Sequence, residues 1–339
     1  MSFPSPVPAT PGDPPPGWRA LLSTATAGQE SRLALGVELR HRESRAANPW
    51  GPRPMRPATA RDVARNEGEV HLGIRPLMRS DATGAWVHGS VSWDSVRRPT
   101  SEFGRESTRW FADLLSIARD TLLSGTAGDW LLVDHIDSGL LWAHLRAGAA
   151  IGIPLVATQK GSSVSLADAC EITAQVARGD DGGLIVTPEV TVDGRLIEPA
   201  GVRTIGRGGV YAVTVAGARM SVTLAEVALG EPVHALLNAP GPLRVPAAEE
   251  PAFLRDAYPL LARRMTVRAA RDVRLPELPA PRAVLVLSFH RGDTVKYAFE
   301  WEYRGFGRVP FDASGDAVRD DAAEHEQRRA LEAVWREKT

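Results

Sequence analysis

Residues 129–158, DWLLVDHIDSGLLWAHLRAGAAIGIPLVAT, decide the class of fold. DWLLVDHI and IGIPLVAT are apolar runs of strand length, and SGLLWAHLRAGAA between them reads as a helix. Strand, helix and strand in that order make one β-α-β unit, so the N-terminal part of the chain is expected to be an α/β domain. Upstream, RLALGVELRHR (32–42) alternates like a strand. EVHLGIRPLMR (69–79) and AWVHGSVSW (85–93) alternate on either side of the turn-prone SDATG, which predicts a hairpin. Residues 106–123 place Phe111, Leu114, Leu115, Ala118 and Leu122 at helical spacing.

The remaining segments bound this domain. Residues 1–16 are rich in Pro, Ser, Thr and Gly and read as a disordered leader, followed by a short amphipathic helix in GWRALLST. The stretch 43–65, with Pro49, Pro52, Pro54 and Pro57 among several arginines, reads as an irregular basic loop. From Leu166 the texture changes to short β-type runs divided by Gly and Asp turns, which predicts a small antiparallel β-rich domain over 166–310. One helix at 248–265 is expected to pack on it through Phe253, Leu254, Tyr258 and Leu261. A charged helix fills much of 311–339. The expected fold is therefore α+β, with an α/β domain over 17–165, the β-rich domain, and a helical tail.

Composition narrows the function. A chain of 339 residues exceeds the usual single domain, and 43% hydrophobic with 24% charged residues is ordinary globular usage. Forty Lys plus Arg against 41 Asp plus Glu give a net charge of −1, so any nucleic-acid contact must be a local patch. The single Cys170 excludes a disulfide framework and every multi-cysteine zinc site. No secretory leader and no 18-residue apolar run occurs, so a cytoplasmic protein without membrane contact is expected.

Several constellations could carry chemistry. Asp134, His135 and Asp137 lie at the carboxyl end of a strand that feeds a helix, where α/β folds place sites. They would supply carboxylates and a base for a metal-dependent nuclease or hydrolase. The competing reading is that Asp137 or Ser138 caps the helix. His71 and His88 would face each other across the hairpin, as a metal pair or as two ordinary strand positions. Gly206-Arg207-Gly208-Gly209 lies between β runs and reads as a tight turn, and no G-x-x-x-x-G-K-[ST] motif occurs. Cys170, at the start of a β run, reads as a small buried hydrophobe. Arg40, Arg42, Arg45, Arg53, Arg56, Arg61 and Arg65 cluster in and beside the 43–65 loop and, with Trp50 to stack on a base, are candidates for nucleic-acid contact or else a solvated loop, Arg42, Arg45, Trp50, Arg53 and Arg56 foremost. Leu331, Val334 and Trp335 would contact a partner helix. No cofactor and no metal is expected.

Two segments carry a resemblance. PGPLRVPAAEEPAFLRDAYPLLARRMTV (240–267) and LPAPRAVLVLSFHRGDTVKYAFEWEY (278–303) resemble the region that precedes the ATPase core in large actinobacterial Swi/Snf-type helicase-like proteins. RLALGVELR, GIRPLMRSDATGAWVHGSVSW and DWLLVDHIDSGLLWAHLRAGAAIGIPLV are similar to parts of the same region, so the likeness spans roughly residues 33–303 and is most specific over 240–303. The resemblance implies a non-enzymatic accessory module, bound to DNA or RNA or to a partner. The ATPase itself would be supplied in cis or in trans, because no residue here matches a motor motif. A metal-dependent nuclease and a pure protein-binding adaptor are the alternatives.

Within the resembling region, VLVLSFHRGDTVKYAFEWEYRG (284–305) reads as a hairpin with RGD at its turn. Leu285, Leu287 and Phe289 on one strand, and Val295, Tyr297, Phe299, Trp301 and Tyr303 on the other, define the face expected to be buried. His290, Lys296, Glu300 and Glu302 fall on the opposite, solvated face. The hairpin is expected to close the β domain.

Overall fold

The computed structural model describes residues 32–43, 54–65, 70–98, 103–119, 126–127, 129–278, 280–290, 294–303, 307–312 and 321–336. The expected leader and GWRALLST helix lie outside them. The protein is α+β with a β-rich character.

The first sheet holds β1 (Leu33–Arg42), β2 (Met55–Pro57), β3 (Val70–Arg79), β4 (Trp86–Val87), β5 (Thr126–Ala127), β6 (Trp130–Leu132) and β7 (Leu155–Ala157). Its order is β2-β1-β3-β6-β5, with β4 paired to β3 and β7 to β1. Helices α1 (Ala60–Arg65), α2 (Trp93–Val96), α3 (Arg105–Ile117) and α4 (Leu140–Ala150) accompany it. The β-α-β unit is present as β6-α4-β7, with a difference from the simplest form. β7 runs parallel to β1, and β6 is antiparallel to β3, itself antiparallel to β1, so β6 and β7 are parallel with β3 and β1 between them. Alternate β1 residues Leu33, Leu35, Val37 and Leu39 enter a core with Phe111 and Leu114 of α3 and Leu141, Trp142 and Leu145 of α4. Helices α3 and α4 approach closely because Gly148 has no side chain: a Cβ there would lie 2.9 Å from the Trp110 ring. The Trp110 Nε1–H donates to the His144 carbonyl at 2.9 Å, and the two rings stack at 4.6 Å.

The expected irregular loop at 43–65 contains two regular elements, β2 and α1. Their order comes from Asp62, which accepts from the Thr59 N–H and hydroxyl, each at 2.7 Å, and from both Arg56 guanidinium nitrogens at 2.7 and 3.0 Å. The Thr59 hydroxyl in turn accepts from the Asp62 N–H, a reciprocal cap that the prolines upstream obscured in sequence. The Arg56 hydrogen bonds hold the Asp62 carboxyl well below the usual carboxylate range. Its stabilisation is therefore present above about pH 4 and lost as pH falls below that. Asp62→Ala is expected to lower stability by about 1–2 kcal/mol at neutral pH, read from urea unfolding, with the difference from wild type shrinking in acid.

Downstream come β8 (Ser163–Leu166), β9 (Cys170–Arg178), β10 (Leu184–Val192), β11 (Arg195–Ile197), β12 (Val202–Ile205), β13 (Gly209–Ala216), β14 (Arg219–Glu226), β15 (Leu243–Val245) and β16 (Thr266–Ala269). They form two sheets, β12-β13-β14-β8 and β11-β10-β9-β16, the latter with β15 on β10. The first of these is a layer shared by two cores. Along β13, Tyr211 and Val213 face the core of α3 and α4, while Val210 and Ala212 face a second core with Ile172, Val186 and Phe253. The boundary expected at 165/166 falls at the end of β8, inside this shared sheet.

Helix α5 (Glu231–Leu237) was not legible in the sequence. The helix expected at 248–265 is broken into α6 (Glu250–Ala252), a π turn (Phe253–Ala257) and α7 (Tyr258–Ala262). Pro259 lacks the N–H that would reach the Arg255 carbonyl, so the helix widens just before it. Phe253, Tyr258 and Leu261 still pack into the second core. A separate sheet, β17 (Arg282–His290), β18 (Thr294–Tyr303) and β19 (Gly307–Pro310), precedes helix α8 (Asp321–Arg336).

Candidate functional site

Asp134 sits in a 3-10 turn directly after β6, and its side chain is largely buried. One oxygen accepts from the Tyr211 hydroxyl at 2.8 Å and the other from the Leu72 N–H at 2.8 Å. The carboxyl thus ties β3 of the first sheet to β13 of the shared one. Burial pushes its pKa up to about 6 against the opposing effect of those hydrogen bonds, and burial likewise drives the Tyr211 hydroxyl well above its ordinary value. Asp137 points elsewhere: it accepts from the Arg207 N–H and Nε–H, both at 2.9 Å, and the backbone bond is the main reason its pKa is lowered. His135 is exposed, its ring 5.9 Å from that of His71.

The three residues adjacent in sequence therefore diverge, and a metal-activated water has no common cradle among them. No group of three or more His, Cys, Asp or Glu suited to a metal occurs among the described residues. Of the two expected caps, Asp137 fixes the β12–β13 turn instead, while the Ser138 hydroxyl accepts from the Leu140 N–H at 3.4 Å at the start of α4. His71 and His88 do not meet: β4 pairs with β3 only at Met78 and Arg79, and His88 lies 3.5 Å from Asp129. Cys170 is only half-buried, and burial raises its thiol to about 11, which leaves it a poor nucleophile.

Among the candidate nucleic-acid residues, Arg45, Trp50 and Arg53 lie outside the described residues. Arg56 is not a free cation but the bidentate partner of Asp62. Arg42 is half-buried at the end of β1, where it pairs with Met55. Its neighbour Arg40 is turned inward, bonded to Glu38 at 2.5 Å and to the Met55 carbonyl at 2.6 Å, with its guanidinium over the Trp130 ring. The expected Arg patch is thus partly consumed by internal pairing.

The hairpin gives the largest departure from expectation. The two strands present one shared apolar face, as the alternation predicts, with Leu285 opposite Phe299, Leu287 opposite Tyr297 and Phe289 opposite Val295. Burial is not as predicted. Trp301 and Tyr303 at the base are buried, but Phe289 is 78% and Tyr297 72% exposed, and Leu285, Leu287, Val295 and Phe299 are exposed as well. Ser288, Lys296 and Ala298 on the other face are also exposed, so the outer half of the hairpin projects from the body instead of closing the β domain. The base is anchored. Trp301 stacks on Phe311 at 4.1 Å, the Tyr303 hydroxyl donates to Glu324 of α8, and the Arg263 guanidinium lies 4.5 Å from the centre of the Tyr303 ring. Arg328 of α8 donates to the Phe311 carbonyl at 3.2 Å.

Leu331, the first of the three candidate contact residues on α8, is 43% exposed, and the side chains of Val334 and Trp335 lie outside the described residues. Among the described residues no helix is long and apolar enough to cross a membrane. No family model, curated protein or solved structure matches the chain, so its function rests on this geometry.

Proposed function

We propose that the chain is a non-enzymatic docking module whose β17–β18 hairpin is covered by a partner protein. The observation that carries this reading is the row of six large apolar side chains left in water on one face of a well-registered hairpin. Isolated surface leucines need no explanation, but a contiguous aromatic and aliphatic row marks an interaction surface. Burying one such side chain is worth about 1.5–3 kcal/mol, so the row supplies on the order of 10 kcal/mol before the cost of association. Among the described residues β17 pairs only with β18, which leaves nine residues of free strand edge beside the apolar face. A partner strand can add to that edge while its side chains cover Leu285, Leu287 and Phe289. The sequence resemblance supplies the partner: a Swi/Snf-type ATPase, in cis or in trans.

The test uses the full chain and such an ATPase from the same organism, purified as separate polypeptides, with affinity measured by titration calorimetry. Wild type is expected to form a defined complex, and Phe289→Glu combined with Tyr297→Glu to weaken it at least about 100-fold. Both positions are exposed, so the melting temperature should stay within about 2 °C of wild type. Absence of a complex, or equal affinity in the double variant, overturns the reading. So does self-association of wild type that the double variant abolishes, because the face would then be covered by a second copy.

A further inference from the structure

We infer that a second site, the cleft between α1, the β7–β8 turn and the β13–β14 turn, takes up backbone phosphates of a nucleic-acid strand. The cleft has a volume of about 540 Å³, and Thr59, Arg61, Gln159, Lys160, Ser162 and Met220 are among the residues that line it. Its floor is apolar, formed by buried Ala58 and Met220. Among the described residues no carboxylate lines it. Arg219, between the lining residues Ala218 and Met220 in the chain, stands beside the turn that carries Lys160: a Cβ at Gly161 would lie 3.6 Å from the Arg219 Cγ. Arg61, Lys160 and Arg219 are all exposed, and none makes a hydrogen bond or ion pair with a described residue. Asp62, next to Arg61 in the chain, is already engaged by Arg56 and Thr59, and Glu38, which accepts from the Thr158 hydroxyl beside the Lys160 turn, by Arg40.

The turn that carries Lys160 is held in place before any ligand arrives. Thr158 N–H donates to the Val37 carbonyl at 3.1 Å, the Gln159 side chain to the Ala58 carbonyl at 2.7 Å, and Ser162 N–H to the Gln159 carbonyl at 3.1 Å. Gly161, at φ +76°, supplies the left-handed residue that closes the turn. Two unpaired cations lining an open cleft and a third beside its turn, on three separate elements and with no acid among the described lining residues, match successive phosphates better than a single anion. A sugar or base between them can rest on the Ala58 and Met220 floor while Thr59 and Ser162 stand at the rim. This site shares no residue with the hairpin, so each can fail without the other.

The experiment is fluorescence anisotropy of a labelled single-stranded oligonucleotide, DNA and RNA in parallel, with the full chain between about 50 and about 200 mM salt. Wild type is expected to bind with an affinity that falls linearly on a log–log plot. The triple variant Arg61→Ala, Lys160→Ala, Arg219→Ala should bind at least about tenfold more weakly at the lowest salt, with a slope reduced by about 2, since each single-strand phosphate contact contributes about 0.7. Lys160→Arg should retain binding, and so should the hairpin double variant. No binding by wild type, or an unchanged slope in the triple variant, overturns the inference. Competition by ATP as effective as by unlabelled oligonucleotide at equal phosphate concentration also overturns it, because the cleft would then recognise a small phosphorylated molecule.

Discussion

Asp134→Ala lowers the unfolding free energy by about 2–4 kcal/mol near pH 5, measured by urea denaturation, because it leaves two buried donors without an acceptor. Those donors are the Leu72 N–H and the Tyr211 hydroxyl, each 2.8 Å from a carboxyl oxygen. The loss is largest in mild acid. At higher pH the wild-type carboxyl is ionised in a site that disfavours charge, so removing it returns part of that penalty and the difference narrows. The same residue sets a pH dependence of known sign. Its folded pKa, about 6, lies above the ordinary value near 4, so the native state holds this proton more tightly than the unfolded chain does. The stabilisation is fully present below about pH 4 and is lost as pH rises through about 6, a total on the order of 3 kcal/mol. Asp134→Asn has no proton to lose. The difference in stability between wild type and Asp134→Asn, followed from about pH 4 to about pH 7, should therefore fall by that amount for wild type relative to the variant. Parallel curves would show that Asp134 does not titrate in this window and would remove the basis for the expected shift.

That residue also shows why adjacency in sequence is a poor guide to a shared site here. Asp134, His135 and Asp137 are adjacent in the chain, and adjacency looked like a shared site. What orients each side chain is a partner far away in sequence: Tyr211 for Asp134 and Arg207 for Asp137. Local pattern was sufficient where the chain folds on itself. The alternation of RLALGVELR gave β1, the spacing of Phe111, Leu114, Leu115 and Ala118 gave α3, and the aromatic alternation of the hairpin gave its two strands and which residues share a face. Pattern was insufficient where burial depends on a second layer. GVYAVTVA reads as one strand whether one or both of its faces are covered, and only the fold shows β13 buried between two cores. The hairpin poses the same problem in reverse, since an apolar face reads alike whether the chain's own core or a partner covers it. The cleft was illegible for a third reason. Arg61 stands out only as one member of the 40–65 arginine cluster, and nothing in the spacing of Lys160 and Arg219, which come from distant segments, joins them to it.

Gly209→Ala is expected to cost about 3 kcal/mol, a severe effect for a single methyl group. The turn Gly206-Arg207-Gly208-Gly209 was expected from sequence to serve only as a tight connection. In the fold its last two glycines also carry the indole of Trp142, which is almost completely buried. A Cβ at Gly209 would lie 2.1 Å from the Trp142 Cζ2 and 2.5 Å from the Ala225 carbonyl oxygen on β14. Neither neighbour yields easily, one being a rigid ring wedged between α4 and β13 and the other part of a paired strand. Because Trp142 bridges the helix layer to the shared sheet, displacing it should loosen both cores together. A double-mutant cycle separates the two clashes. In a Trp142→Leu background the ring contact is gone and the carbonyl contact remains, so Gly209→Ala should cost about 1 kcal/mol less there than in wild type. Gly241→Ala is the control, as a Cβ there meets nothing within 4 Å, and its stability should stay within about 0.5 kcal/mol of wild type. If Gly209→Ala melts with Gly241→Ala, or if its cost is the same with and without the indole, then Trp142 does not rest on the glycine turn in solution and the joint between helix layer and shared sheet must lie elsewhere.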